Sequence, residues 1–164
     1  MKIKISGIVN DSIVDGTGLR LTIFTQGCSH DCKGCHNPET HDFAGGYWAD
    51  TDDIIKIVSE NPLLDGITLS GGDPMEQAAP CAILAEQTHA LGLNVWTYTG
   101  YTWEQLLTEQ NIDRMALLQH TDILVDGPFL EQQRSLELQF KGSQNQRIID
   151  VKSSLAQNTI ILWT

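Results

Sequence analysis

The sequence predicts a single α/β domain in the form of an incomplete parallel (β/α) barrel. Short β-type runs alternate with helical stretches along the chain, which is typical of right-handed βαβ units and a parallel sheet. Polar or glycine-rich motifs follow the strands, as they do where a site forms at strand ends. A complete (β/α)8 barrel needs about 250 residues, whereas this chain has 164. We therefore expect a partial barrel with an open flank at the strand ends.

The first predicted elements are two strands and a helix. Residues 3–9 (IKISGIV) and 21–26 (LTIFTQ) are rich in β-branched and apolar side chains, as strands are. Residues 51–60 (TDDIIKIVSE) place apolar residues at helical spacing, with Thr51 as the candidate N-cap. The later elements follow the same alternation: a strand at 66–72, a helix at 77–92 that Gly92 ends, a strand at 93–100, one or two helices at 102–119 and a strand at 121–127.

The charge balance argues against one class of partner. The chain has 10 Lys and Arg residues against 21 Asp and Glu, a formal net charge of −11. A protein that binds the phosphate backbone of nucleic acid depends on Lys and Arg contacts, so we expect no nucleic-acid partner. A local anion or partner site, or ordinary solvated charges, would account for the basic residues near the end of the sequence: Arg134, Lys141, Arg147 and Lys152.

The sequence also indicates a cellular compartment. No stretch approaches the roughly 18 continuous apolar residues of a membrane span, and residues 1–16 alternate like a strand instead of resembling a secretory signal. Most of the cysteines are crowded together, which fits thiols used as ligands in a reducing compartment. We therefore expect a soluble, cytoplasmic protein that does not bind membranes.

Polar and glycine motifs come directly after the predicted strands. The carboxyl ends of parallel strands meet at one edge of a sheet, and ligand sites of open α/β folds form there. We therefore expect a single site at this edge. The residues that would contribute to it are Cys28, Gly71, Gly72, Asp73, Thr99, Gly100, Asp126 and Gly127.

Cys28, Cys32 and Cys35 form a C-x3-C-x2-C cluster, while Cys81 lies in an alanine-rich helical stretch typical of a buried thiol. An odd number of clustered thiols does not suit a disulfide framework or a zinc site made from two cysteine pairs. Thiolates are soft ligands suited to iron–sulfur clusters, zinc or copper(I). Three cysteines could hold three irons of a [4Fe-4S] cluster and leave the fourth iron to an exchangeable ligand.

A structural zinc ion is the alternative for this loop. Zinc is often held by three cysteines and one histidine, and three histidines lie close to the cysteines in sequence: His30, His36 and His41. A zinc site would explain the loop but not the polar motifs at three other strand ends. The spacing alone leaves both metal groups open, and the position of the loop favours the cluster.

The motifs resemble those of the radical S-adenosylmethionine (SAM) superfamily. The triple-cysteine motif is similar to the superfamily's cluster signature, and SGGDPM at 70–75 resembles its glycine–glycine–acid motif. From about Ile13 to Asp150, further segments are similar, in the same order, to the activating proteins of anaerobic, class III ribonucleoside-triphosphate reductase. These segments are VDGTGLR at 14–20, WTYTGYTWEQL at 96–106, LVDGPF at 124–129 and FKGSQNQRIID at 140–150.

The resemblance implies a single radical SAM domain over residues 1–164, with the cluster loop at 27–42 and a C-terminal extension at about 129–164. It implies an oxidoreductase with one [4Fe-4S] cluster per chain and SAM, which makes a glycyl radical on its partner. That partner would be the glycyl-radical subunit of anaerobic ribonucleoside-triphosphate reductase, and the electron donor a reduced flavodoxin-like protein. The alternatives are an activase of another glycyl-radical enzyme and a zinc- or cluster-binding interaction module.

The resemblance also implies which residues hold the two cofactors, with no catalytic side chain beyond them. The metal ligands are Cys28, Cys32 and Cys35. The SAM contacts are Gly34, Cys35, His36, Gly71, Gly72, Asp73, Thr99 and Asp126. A turn-forming role is the alternative for Asp126. Arg20 would brace the cluster loop, contact the partner or be an ordinary surface residue.

Two positions depart from the pattern of the wider superfamily. The residue before the third cysteine is commonly aromatic and packs near the adenine, but here it is Gly34. His36, just after the third cysteine, would supply the flat surface instead. Asp73 stands where many members of the superfamily have Glu.

Overall fold

The computed structural model describes residues 1–30, 32–35 and 37–164. The strands are β1 (Lys2–Ser12), β2 (Arg20–Thr25), β3 (Tyr47–Asp50), β4 (Gly66–Gly71), β5 (Asn94–Tyr98), β6 (Ile123–Asp126) and β7 (Arg147–Asp150). The helices are α1 (Thr51–Glu60), α2 (Ala78–Ala90), α3 (Trp103–Glu109), α4 (Ile112–Gln119) and α5 (Val151–Gln157). Short 3-10 turns occupy Pro38–Thr40, Pro74–Gln77 and Glu131–Gln133. The described strands form one mixed sheet of 7 strands in the order β3-β1-β2-β4-β5-β6-β7.

The centre of the sheet is parallel, as the alternation of strands and helices predicts. The neighbouring strands β2, β4, β5 and β6 all run in the same direction. Thr25 at the end of β2 pairs with Gly71 at the end of β4, and Tyr98 at the end of β5 pairs with Val125. The carboxyl ends of these four strands therefore lie side by side at one edge of the sheet.

The two outer parts of the sheet differ from the parallel expectation. β1 pairs antiparallel with both β2 and β3, and β7 pairs antiparallel with β6. The connection from Ser12 to Arg20 is too short for a parallel crossover, which needs about a dozen residues or more. β7 lies in the polar segment after residue 140, where no strand is predicted from the sequence.

Local capping decides where the helices begin and end. α1 begins at Thr51, but its N-cap is Asp50, whose carboxylate accepts an amide of the first turn at 2.9 Å, so the predicted cap was wrong by one residue. Gly92 follows α2 with a φ of +79°, which confirms it as the end of that helix. The helical stretch at 102–119 is two helices, separated by Gln110 in the left-handed conformation. None of the helices in the described ranges is long and apolar enough to cross a membrane.

The sheet has two unlike faces. One packs against the helices and carries the main core, including the fully buried Ile67 and Val95. The other carries an aromatic cluster in which the Trp96 ring lies 5.2 Å from the Phe140 ring and 5.4 Å from the Trp163 ring. Because strand side chains alternate between faces, the neighbours Val95 and Trp96 belong to different cores.

Candidate metal and cofactor site

A pocket of about 110 Å³ opens where the parallel strands end. Its walls include the three clustered cysteines, Gly71, Gly72 and Thr99. A larger cavity of about 570 Å³ shares Cys35 and Tyr98 with this pocket. The structure thus brings the cysteine loop together with the glycine pair after β4 and with the end of β5.

The cysteine loop is closed by backbone hydrogen bonds at its base. Gly27 N–H donates to the Thr40 carbonyl at 2.7 Å, and Cys28 N–H donates to the His41 carbonyl at 3.2 Å. Gln26 is 3% exposed, and its amide nitrogen donates to two carbonyls of the returning segment at 3.0 and 2.6 Å. The loop therefore leaves β2 and returns beside it, which holds its cysteines near the strand ends.

The cysteine thiols fall into two classes. Cys28, Cys32 and Cys35 are half-buried at the pocket, whereas Cys81 is fully buried in α2. Burial is the largest cause that raises the pKa of the Cys28 thiol to about 11; the charges of Asp73 and the other two pocket thiols act in the same direction, and a backbone hydrogen bond at His30 opposes them. Thiolates gathered this closely repel one another, so a bound cation is needed to stabilise them.

The donors at the pocket fit an iron–sulfur cluster. Three soft thiols line one pocket. The wall formed by Gly71 and Gly72 exposes backbone groups and has no side chain that could bind a metal. The ligating atoms of Cys28, His30 and Asp73 also lie within 4.8 Å of one another. That group suits zinc less well, because the histidine nitrogen is already hydrogen-bonded to the carboxylate.

The glycine pair is required by the packing of β4 against the cysteine loop. Gly71 has a φ of +98°, in the left-handed region, and a Cβ there would collide with the backbone of Thr25. A Cβ on Gly72 would collide with the Gly27 carbonyl. The two glycines thus let the end of β4 approach the start of the cysteine loop, in addition to exposing backbone to the pocket.

Asp73 is 1% exposed, and both of its carboxylate oxygens are engaged inside the protein. One oxygen accepts the Met75 amide at 3.0 Å, and the other lies 2.5 Å from His30 Nε2. The hydrogen bond that His30 donates to Asp73 raises the pKa of His30 and outweighs the opposing effect of partial burial. The geometry supports a role of Asp73 in positioning the cysteine loop, and its direct contact with a cofactor stays a prediction.

Thr99 belongs to the same hydrogen-bonded unit. Its hydroxyl donates to Asp73 at 3.0 Å and accepts the Tyr101 amide at 3.1 Å. The Gly100 amide also donates to Asp73, at 2.9 Å. The end of β5 is therefore held against the turn that follows β4, with Thr99 lining the pocket.

Asp126 is not among the residues that line the pocket, and the SAM contact expected of it stays a prediction. It is 1% exposed, accepts the Trp103 amide at 2.8 Å and accepts two hydrogen bonds from Arg147 at 3.0 and 2.5 Å. Its side chain shares the helix-facing side of β6 with Leu124, because both residues have the same parity along the strand. Asp126 thus anchors the start of α3 to the sheet.

The chain is similar to proteins that have an iron–sulfur cluster domain. A family described as "4Fe-4S single cluster domain" matches residues 14–149. The anaerobic ribonucleoside-triphosphate reductase-activating protein of Vibrio cholerae is 38% identical over 146 residues, which cover 83% of this chain and 90% of the relative. The chain belongs to the family of anaerobic ribonucleoside-triphosphate reductase-activating proteins.

Other members of the family support the assignment. The activating protein of Escherichia coli K12 is 34% identical over 142 residues, covering 82% of this chain and 90% of the relative. That of enterobacteria phage T4 is 28% identical over 82% of this chain and 86% of the relative. Among solved structures, QueE from Escherichia coli matches 62% of this chain and 54% of its own, with a TM-score of 0.51 and 18% identity, which shows a shared fold.

Two predicted SAM contacts, Gly34 and His36, flank the third cysteine. Gly34 has a φ of +76°, and a Cβ there would come within 3.1 Å of the Glu131 side chain, so the turn favours glycine on steric grounds. His36 lies outside the described residues. The SAM contacts predicted for these two positions, and the adenine-facing surface expected of His36, stay predictions.

Ser70 and Tyr98 also line the pocket, although neither is predicted as a site residue from the sequence. Both point to the face opposite the helices, because they alternate with the core residues Leu69 and Thr97. Burial raises the pKa of Tyr98, so the phenol is neutral at physiological pH. The period-two pattern of β4 and β5 could have identified both residues once the face of the pocket was known.

Proposed function

We propose that this protein is the activating enzyme of an anaerobic ribonucleoside-triphosphate reductase. It would use a [4Fe-4S] cluster and SAM to generate a glycyl radical on the reductase. The observation that carries the proposal is the convergence of Cys28, Cys32 and Cys35 on one pocket with the glycine pair at the end of β4. The names of the relatives point to the same activity.

Different residues of the pocket would hold the two cofactors. Cys28, Cys32 and Cys35 would ligate three irons and leave the fourth to SAM. When bound, the cluster supplies one electron to the SAM sulfonium, which yields methionine and a 5′-deoxyadenosyl radical able to take a hydrogen atom from a glycine. Gly71 and Gly72 would offer backbone groups to the methionine part of SAM.

The larger cavity is the proposed entrance for the glycine of the reductase. Its volume is about 570 Å³, and its lining includes the apolar side chains of Val14, Phe24, Leu138 and Phe140 together with Cys35. A mainly apolar opening beside the cysteines suits a protein loop better than a charged metabolite. In this proposal the sheet is an incomplete (β/α) barrel, and the cavity is its open flank.

The proposed activity has consequences for partners and compartment. The reductase would cover the open flank during radical transfer, and a reduced flavodoxin-like protein would supply the electron. Residues 1–164 would act as one domain, with the cluster loop at 27–42 and the C-terminal extension at about 129–164 closing the site. The cytoplasm is the proposed compartment, since cysteine ligands must stay reduced to bind the cluster.

Anaerobic reconstitution tests the proposal. The protein should bind about 4 iron and 4 sulfide per chain, as a [4Fe-4S] cluster requires, and release 5′-deoxyadenosine from SAM under reducing conditions. Cys32→Ser should abolish this release, whereas Cys81→Ser is the matched control and should retain it. With the reductase added, electron spin resonance should detect a carbon-centred glycyl radical.

Three outcomes would overturn parts of the proposal. A colourless protein that carries stoichiometric zinc would support the interaction module instead. Full cleavage activity of Cys32→Ser would contradict the ligand assignment. A radical formed on another glycyl-radical enzyme but not on the reductase would leave the chemistry intact and change the partner.

A further inference from the structure

His41 contacts the third cysteine of the loop. Its Nε2 atom lies 3.3 Å from the Cys35 sulfur, within hydrogen-bond distance for a sulfur acceptor. The backbone N–H of Asn37 also donates to this sulfur, at 3.5 Å. An imidazole nitrogen and a backbone N–H are therefore both directed at the Cys35 sulfur.

The position of His41 does not depend on that contact. Its carbonyl accepts the Cys28 amide at 3.2 Å, and its own amide donates to the Pro38 carbonyl at 3.2 Å. Gln26 donates to the carbonyls of Glu39 and Asp42, one on each side of His41 in sequence. The imidazole is thus presented to Cys35 by a backbone that is held at several points.

An N–H donor on a cysteine ligand affects the redox properties of a cluster. Reduction adds one negative charge to the cluster and its thiolates, and a hydrogen bond to a ligand sulfur stabilises that charge. Hydrogen bonds to the sulfurs are among the features that set iron–sulfur reduction potentials, and partners of the ligands also fix ligand orientation.

We propose that His41 is a positioning residue that donates an N–H···S hydrogen bond to Cys35 and raises the reduction potential of the cluster. This inference rests on the cluster of the proposed function. It assigns His41 a role outside the coordination sphere, in contrast to a zinc site, in which the imidazole would be a ligand. The proton in the bond stays on Nε2, and no covalent bond is formed or broken.

The test measures the midpoint potential of the cluster, without SAM or the reductase, by dithionite titration followed by electron spin resonance. His41→Phe removes the donor and keeps an aromatic ring, so its potential should shift to a more negative value. His41→Gln keeps an N–H donor, so its midpoint potential should remain closer to that of the original protein. His120→Phe, at the far end of α4, is the matched control and should leave the potential unchanged.

Cluster content gives a second readout for the same variants. Loss of iron in His41→Phe but not in His41→Gln would support the need for an N–H donor. Loss in both variants, or full iron content with an unchanged potential in His41→Phe, would overturn the inference. Deoxyadenosine release by the original protein separates the two proposals. If the original protein releases deoxyadenosine but has the same midpoint potential as His41→Phe, only the role of His41 fails. If no cluster forms in the original protein, the proposed function fails.

Discussion

At the scale of single residues, Asp73 organises the site because its carboxylate accepts hydrogen bonds from separate parts of the chain. Burying a carboxylate is costly unless hydrogen bonds or charges compensate for the lost water. Here the donors come from the cysteine loop, from the turn after β4 and from the end of β5. A single side chain thus holds together the three segments that line the pocket.

Gly100→Ala should weaken this arrangement. A Cβ at residue 100 would lie 2.6 Å from Cδ2 of His30, so the imidazole would have to move away from Asp73. Losing one charge-assisted hydrogen bond should lower the free energy of unfolding by about 1.5–3 kcal/mol. Urea unfolding measures this loss, and iron analysis after reconstitution should show less cluster per chain.

Gly7→Ala is the matched control for that variant. A Cβ at residue 7 would have no atom within 4 Å, and its φ is outside the left-handed region. We expect Gly7→Ala to bind as much iron as the original protein. Equal iron content and stability for Gly100→Ala would contradict the positioning role assigned to His30 and Asp73.

At the scale of elements, Asp122 connects three of them just before β6. Its carboxylate accepts from His89 at the end of α2 at 2.7 Å and from the Val95 amide of β5 at 2.8 Å, and it lies 3.1 Å from Lys152 of α5. Partial burial raises the pKa of Asp122, but the hydrogen bonds from His89, Val95 and Lys152 outweigh burial and lower the pKa overall. The ionised carboxylate therefore stabilises the packing of α2 and α5 on the sheet.

Asp122→Asn should reduce stability at neutral pH and have less effect in acid. Because the folded pKa of Asp122 is depressed, its contribution is present above the unfolded value of about 3.9 and is lost as the pH falls through the folded pKa. Losing charge-assisted bonds should cost about 1.5–3 kcal/mol at pH 7. Urea unfolding from pH 7 down to about 3 should show a stability difference between the original protein and Asp122→Asn that holds to about pH 4 and narrows below it.

Glu86→Gln provides the control for the acid dependence, because Glu86 is exposed on α2. It should change the stability little at any pH. A stability difference for Asp122→Asn that stays constant down to about pH 3, below the unfolded pKa, would show that the charge of the carboxylate is not what stabilises these elements.

At the scale of the whole molecule, Arg20 supports the end of the sheet opposite the pocket. It is fully buried at the start of β2, donates to Thr68 at 2.7 Å and to the Ile67 carbonyl at 2.6 Å, and lies 5.7 Å from the Trp96 ring. Burial lowers the pKa of Arg20 to about 10, despite the opposing influence of nearby acidic groups. This position rules out the bracing, partner-contact and surface roles predicted for it.

Arg20→Met should lower the stability of the whole sheet without changing the ligand set of the pocket. Methionine keeps much of the apolar stem but leaves the Ile67 and Thr17 carbonyls without their donor. We expect a loss of about 2–3 kcal/mol in the free energy of unfolding, measured with urea. Arg134→Met, at an exposed position, should leave the free energy of unfolding unchanged. An equal loss of stability in both variants would contradict a specific role for Arg20.

The sequence by itself determined the parallel centre of the sheet and the cysteine loop at its carboxyl edge. Both follow from local features, namely alternating element patterns and motifs placed directly after strands, so they could be read without knowing distant contacts. The membership of the family followed from motifs in the same way and was confirmed by the relatives.

Only the tertiary structure decided the antiparallel edges, the strand at β7 and the placement of Asp126, Arg20 and His41. Pairing of a polar segment with β6 depends on a long-range register that local propensity does not encode. Asp126 and Arg20 took their roles from the face or end of the strand that they occupy, and His41 met Cys35 because the loop folds back on β2. These features arise from contacts between segments far apart in sequence, which form only when the chain is folded.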